Sequence, residues 1–134
     1  MAETFQLRIV TLDGLSYDGR AEKLIVRTIT GDVGILPHHI NFVTALGMGE
    51  AKVYSEGTVR SAACIGGLLS VSENVVTLAP TTFEWAEDID KARAQAARER
   101  AENLLKTRLS EQEQRVAEAK LKRALVRSSV AGGR

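Results

Sequence analysis

With a single cysteine, Cys64, in 134 residues, the chain cannot form an internal disulfide. The surrounding SAACIGG reads as a buried strand, and no base or cation stands near in sequence to lower the thiol pKa. Cys64 is therefore expected as a small core residue rather than a reactive thiol. Aromatic residues make up only 4% of the chain, which leaves little for stacking nucleic acid bases. No apolar run approaches the ~20 residues that cross a bilayer. The start MAETFQLRIV lacks the basic-then-apolar order of a secretory signal. A soluble cytoplasmic chain is expected, one still free to dock on something membrane-bound. No GxxxxGK[ST] string occurs, which excludes a P-loop. Nor is there a nucleophile paired with a base, or a cluster with metal-ligand spacing, so neither catalysis nor a bound metal is expected. The adjacent His38 and His39 point apart in an extended segment and have no third ligand near in sequence; loop contact or solvation is the expectation for both. The net charge of +1 gives no global steering.

Hydrophobic residues at 44% and charged residues at 26% are the composition of a globular chain. The length suits one ordinary core with an appendage. Nine of the eleven glycines, both prolines and every aromatic residue fall within the first 85 positions, and no glycine occurs from Leu68 to Ala131. The grammar thus changes near residues 83 to 88, dividing the chain into 1–84 and 85–134.

The first part is built of short alternating runs. Phe5, Leu7 and Ile9 point one way while Gln6, Arg8 and Val10 point the other, the period of a half-buried strand. KLIVRTIT (23–30), GEAKVY (49–54), TVRSAACI (58–65), LLSVS (68–72) and NVVTLA (74–79) continue the series. Turn signals separate them at Asp13-Gly14, Asp18-Gly19, Gly31-Asp32, Ser55-Glu56-Gly57 and Glu73-Asn74. Gly66-Gly67 is expected as a turn or bulge, not a phosphate cradle. Strands at this spacing predict an antiparallel sandwich or barrel.

The second part changes period. From Asp88 to about Lys106, Ala94, Ala97, Ala101 and Leu104 recur every three or four residues and stack on one helical face. Glu87 and Asp88 are expected to cap the amino end. Ser110-Glu111-Gln112-Glu113 fits a capping box, so a second helix should start near residue 111 and carry the stripe Ala117, Leu121, Ala124 and Leu125. The two form an antiparallel hairpin. An alanine-lined hairpin buries little area, which suits either a mobile element or a static small-residue interface. Positive charge collects at its end, where Arg115, Lys120, Lys122, Arg123, Arg127 and Arg134 face Glu118 alone. Such a basic helical end is either simply solvated or meets an anionic partner, acidic protein or phosphate.

Particular strings go further. GDVGILPHH at 31–39, the IGGLLSV glycine pair and the I-D-x-x-R-A opening of the helical part, together with the overall layout, resemble the epsilon subunit of bacterial F-type ATP synthases across the whole chain. The resemblance implies an α+β protein in two parts, with an N-terminal antiparallel β sandwich of about ten strands followed by a C-terminal two-helix hairpin. It implies a rotor subunit of the central stalk, joining the gamma subunit to the ring of membrane c subunits and peripheral on the cytoplasmic side of the plasma membrane. Its hairpin would fold down or extend toward the alpha and beta subunits to inhibit ATP hydrolysis. Asp32 and His39 match the loop positions that face the c ring. Arg115, Lys120, Lys122, Arg123 and Arg127 are the expected inhibitory contacts with alpha and beta.

In part of that family the folded hairpin binds ATP without hydrolysing it, as a regulatory ligand with or without Mg²⁺. The associated motif is whole here as Ile89, Asp90, Arg93 and Ala94, and position matching adds Glu84, Arg100, Arg123 and Arg127. Helix geometry is compatible: Arg93 and Arg100 lie within roughly 20° of one another and ~10 Å apart along the axis. Arg123 and Arg127 share a face, with Lys120 beside them. Guanidinium forks suit phosphate and the ribose edge, carboxylates suit the adenine amine or ribose hydroxyls, and Ile89 with Ala94 offers apolar surface to the base. Asp90 and Arg93 also make sense as a plain i, i+3 pair near a helix start. Two alternatives from other classes are a free-standing module whose basic helix contacts nucleic acid, and a small nucleotide hydrolase. The scarcity of aromatics argues against the first and the missing catalytic groups against the second.

Overall fold

The structure is a computed structural model that describes residues 3–132. The chain divides after Trp85 into two compact units, Met1–Trp85 and Ala86–Arg134.

Among the described residues the first unit holds ten strands: β1 (Phe5–Thr11), β2 (Gly14–Ala21), β3 (Lys23–Thr28), β4 (Gly31–Ile35), β5 (Phe42–Ala45), β6 (Met48–Ser55), β7 (Thr58–Ile65), β8 (Leu68–Ser72), β9 (Val75–Ala79) and β10 (Thr82–Trp85). They form two five-stranded sheets, ordered β2-β1-β9-β8-β5 and β10-β7-β6-β3-β4. Every pairing is antiparallel except β1 with β9, where Gln6 to Ile9 run parallel to Val75 to Leu78. The alternation expected in β1 is realised: Phe5, Leu7 and Ile9 are fully buried, and Leu69, Val71, Val76 and Leu78 of the same sheet and Leu24 and Val26 of the other join them in one core. Each such side chain contributes about 1.5–3 kcal/mol on leaving water. Tyr17 on β2 and Phe83 on β10 both meet Trp85 edge-on, at centroid distances of 5.9 and 4.9 Å. The Tyr17–Trp85 contact ties an edge strand of one sheet to an edge strand of the other, and Phe83 supports the indole from within β10.

Two expected turns lie elsewhere. Asp18-Gly19 is inside β2, where Gly19 pairs with Leu7. A Cβ on Gly19 would lie 3.1 Å from the Tyr17 hydroxyl, so the glycine makes room for that ring. The reversal placed at Gly31-Asp32 is made by Ile29-Thr30, and Gly31 opens β4 opposite Thr28. The buried Thr28 organises this hairpin: its hydroxyl donates to the Gly31 carbonyl (2.8 Å) and accepts from the Thr30 N–H (3.2 Å). Gly66-Gly67 is the turn between β7 and β8, with φ of 68° and 93°, and a Cβ on Gly67 would overlap the Ala79 carbonyl oxygen.

The second unit begins with a 3₁₀ turn (Ala86–Asp88), followed by α1 (Lys91–Leu105) and α2 (Glu111–Gly132). α1 therefore starts three residues later than the sequence suggests, and its cap is Asp90 rather than Glu87 or Asp88. Asp90 is extended (φ −77°, ψ 103°), and its Oδ1 accepts the Arg93 N–H at 3.0 Å. The capping box at α2 is formed in both directions, with the Glu113 N–H donating to Ser110 Oγ (3.2 Å) and the Ser110 N–H to Glu113 Oε1 (3.1 Å). The five-residue connection makes the helices antiparallel neighbours. Ala94, Ala101, Ala117 and Ala124 are buried. Leu104 and Leu125, expected on the same stripes, are 39% and 38% exposed. Interaxial distance follows the side chains at the contact, so alanines draw the helices close and leave the larger leucines at the margin.

Candidate functional site

The hairpin carries a groove of about 470 Å³ between its helices. α1 contributes Ala97, Arg100, Ala101 and Leu104, and α2 contributes Lys120, Arg123, Ala124 and Arg127. The arrangement follows from the helical repeat. Residues 97, 100, 101 and 104 occupy one face of α1, and 120, 123, 124 and 127 one face of α2, at spacings of three, four and seven. Alanines 97, 101 and 124 lie low between the helices, and the long cationic side chains flank them. A volume of this size suits a small-molecule ligand. Its charged lining is three guanidinium groups and one ammonium, with no carboxylate, which is the donor set for a polyanion.

Of the residues expected to hold a nucleotide, Arg100, Arg123 and Arg127 are thus brought together. Lys120, expected among the inhibitory contacts, joins them; the sequence signal for this is its place three residues before Arg123 and seven before Arg127. Arg93 is exposed, two turns before Arg100 and outside the lining. Asp90 spends a carboxylate oxygen on capping α1. Ile89 and Ala94 are 6% and 4% exposed, so they have almost no apolar surface to offer a base. Glu84 is a half-buried residue of β10 and belongs to the other unit.

The basic end of α2 is divided. Lys120, Arg123 and Arg127 line the groove, whereas Arg115 and Lys122, seven residues apart and so on one face, are exposed and outside it. Arg98, the remaining α1 arginine, is engaged with Glu102 one turn on, at 2.7 Å.

In the sandwich, the two residues expected to share a loop are divided, Asp32 lying within β4 and His39 in the loop that follows it, and each has partners of its own. Asp32 pairs across β3 and β4 with Arg27 (2.8 Å), both about half exposed. His39 Nδ1 lies 2.8 Å from the Ile40 carbonyl oxygen, and its ring sits 5.8 Å from that of Phe42. His38 has φ 64° and turns instead toward Glu3, with Nε2 3.8 Å from the carboxylate. Around this loop Leu36 is 55% exposed and Ile40 77%. Cys64 is buried in the core, and desolvation pushes its thiol up to about 12.

Comparison with known proteins places these features. The family model for the β-sandwich domain of the ATP synthase delta/epsilon chain matches residues 4–86, and that for its long α-helix domain matches residues 87–132. The ATP synthase epsilon chain of Ruminococcus albus is 43% identical over 128 residues, 95% of this chain and 96% of that one. The ATP synthase epsilon chain of Caldanaerobacter subterraneus subsp. tengcongensis is 42% identical over 132 residues, 98% and 96% of the two chains. Among solved structures, a chain of the Euglena gracilis mitochondrial ATP synthase, in an OSCP/F1/c-ring assembly, shares the fold with a TM-score of 0.84 at 22% identity, over 98% of this chain and 82% of that one. Matched along nearly its whole length by both domain models and by bacterial relatives of the same size, the chain belongs to the ATP synthase epsilon-chain family.

Proposed function

We propose that this chain is a non-catalytic rotor subunit in the central stalk of a proton-translocating ATP synthase. In this proposal its sandwich joins gamma to the c ring, its hairpin restrains ATP hydrolysis through alpha and beta, and the hairpin groove holds ATP without cleaving it. The observation that carries the ligand part is the convergence of Arg100, Arg123 and Arg127, from two helices, on one groove. The lining offers no nucleophile and no general base, which supports binding without hydrolysis. Membership of the epsilon-chain family favours the stalk reading over the nucleic-acid alternative, whose support is the basic helical end alone.

The bound triphosphate would supply negative charge shared by both helices. Arg100 holds it from α1, and Arg123 and Arg127 from α2. Arg93 is left for the nucleoside end. Asp90, Ile89 and Ala94 contribute by shaping the first turn of α1: the cap fixes where the helix begins, and the two apolar residues are buried. The assignment of Glu84 rests on the family resemblance.

A ligand shifts a conformational equilibrium only through differential affinity. A groove made from both helices exists only while they are paired, so its ligand favours the paired hairpin. Arg123 and Arg127 cannot hold phosphate and meet acidic surfaces of alpha and beta at once, so ligand and inhibitory contact compete for them. Arg115 and Lys122 are exposed and available to those surfaces in either case. On the sandwich, Asp32 and His39 are the polar contacts proposed for the c ring, and the exposed Leu36 and Ile40 beside them suit a docking surface. The chain would then be peripheral, on the cytoplasmic side of the membrane that holds the c ring.

Calorimetric titration of the full chain with ATP tests the ligand, and co-purification with gamma tests the assembly. Binding that weakens in Arg100→Ala and in Arg123→Ala is expected. Wild type without heat or protection by ATP would remove the ligand from the proposal, and failure to recover gamma would remove the rotor role.

A further inference from the structure

We propose that the hairpin groove takes its triphosphate free of Mg²⁺, with Lys120 as a fourth phosphate contact, so that Mg²⁺ competes with the groove for the ligand instead of joining it there. This rests on the nucleotide reading of the groove and extends it to the charge state of the ligand.

Mg²⁺ bound together with a triphosphate is normally held by one or two carboxylates as well as by phosphate oxygens and waters. Among the groove-lining side chains there are only arginine, lysine, alanine and leucine, none of which supplies an oxygen. A metal there would gain no protein side-chain ligand, and its two positive charges would face Arg100, Lys120, Arg123 and Arg127. Chelation also removes from the triphosphate two of the negative charges that those cations would meet. Both effects favour the uncomplexed anion. Lys120 sits on the groove face of α2, one turn before Arg123, and its exposed ammonium is a compact charge on a flexible stem with three donors. It supplies, from the protein, a positive charge that a metal supplies in sites built with carboxylates.

The test is calorimetric titration of the full chain with ATP at low ionic strength, once in EDTA and once in excess Mg²⁺, with helix content followed by circular dichroism. Affinity in EDTA should exceed that in Mg²⁺ by about tenfold, and Lys120→Gln should weaken binding in EDTA by about fivefold, the scale of partly screened charge-assisted contacts. Lys120→Gln should also narrow the gap between the two conditions without changing helix content, and Lys120→Arg should restore most of the affinity. Equal or tighter binding in Mg²⁺, or an unaltered Lys120→Gln, would overturn this inference and leave the nucleotide reading standing. No binding in either condition would overturn the nucleotide reading, and this inference with it.

Discussion

Asp90 separates two accounts of the same residue, and the separation can be measured. In the structure its Oδ1 accepts the Arg93 N–H at 3.0 Å, the geometry of an N-cap, and it does not line the groove. Removing an N-cap costs about 1 kcal/mol. The seam it supports is thin: Ala94, Ala101, Ala117 and Ala124 bury one methyl each, worth ~0.8 kcal/mol apiece and so ~3 kcal/mol together. One cap is therefore about a third of the seam. If pairing is marginal, losing the cap lowers the groove-competent fraction and weakens apparent affinity by up to about fivefold. Asn caps about as well as Asp, so Asp90→Asn should keep both helix content and ATP affinity, the latter within about twofold after allowing for the lost helix-dipole charge. Asp90→Ala should lose helix content and affinity together. Circular dichroism and calorimetry on the three chains decide it. An Asp90→Asn variant with full helix content that binds ATP as poorly as Asp90→Ala would refute capping and show that the carboxylate touches the ligand.

Three further outcomes follow from local geometry. Gly67→Ala combines a left-handed backbone at φ 93° with a Cβ overlapping the Ala79 carbonyl oxygen, and should destabilise the sandwich by about 2–4 kcal/mol, read from a urea transition followed by Trp85 fluorescence; a loss below the fluorescence error would contradict the turn. Burial raises the Cys64 thiol from 9.0 to about 12, so the native chain at pH 8 should resist a thiol reagent that modifies the urea-unfolded chain at once. The linked stability is complete below pH 9, where both states keep the proton, and is lost as pH rises toward 12, because only the unfolded chain ionises in that window. The Glu113 carboxyl is held below its ordinary 4.5, first by the Ser110 N–H and then by the Ser110 hydroxyl. Its support for the start of α2 is present above pH 4.5 and lost as pH falls through the depressed value, so helix content should drop on acidification, and less so in Ser110→Ala, which has already lost part of the box.

Legibility in the sequence tracked how far each element declares itself locally. β7 and β8 were read with their observed ends, because β-branched runs bounded by Glu56-Gly57, Gly66-Gly67 and Glu73-Asn74 leave little freedom. β2 was hidden because Gly19 within it looks like punctuation; its glycine answers to the Tyr17 ring, a contact made by tertiary packing. β5 and β10 have only four residues each, too few for a period, and β4 opens on Gly31-Asp32, which reads as a turn; the family resemblance supplied their number. The parallel pairing of β1 with β9 joins segments nearly seventy residues apart, and no local pattern encodes it. At the groove, arginines 100, 123 and 127 were legible as a positional match and Lys120 as their helical neighbour. The N-cap was misplaced because Glu87, Asp88 and Asp90 all carry suitable acids, and only backbone geometry chooses among them.

The alanine seam and the cationic groove are one feature. Small residues let the helices approach, and that approach is what brings Arg100 on α1 within the same groove as Lys120, Arg123 and Arg127 on α2. On the proposed nucleotide reading, the weakness of the seam is also what lets a ligand matter. A ligand at a hundred times its dissociation constant stabilises the state it binds by about 2.7 kcal/mol, close to the ~3 kcal/mol of the four alanine methyls. Four leucines in their place, at about 1.5–3 kcal/mol each, would bury ~6–12 kcal/mol and leave the hairpin closed with or without ligand. They would also push the helices apart and spread the cations. Replacing one alanine of the seam by a larger residue should therefore uncouple hairpin stability from ATP even where Arg100, Arg123 and Arg127 are intact. The comparison to make is the ATP-induced rise in helix melting temperature in wild type and in Ala101→Val, and an undiminished rise in the variant would show that seam size and ligand response are independent.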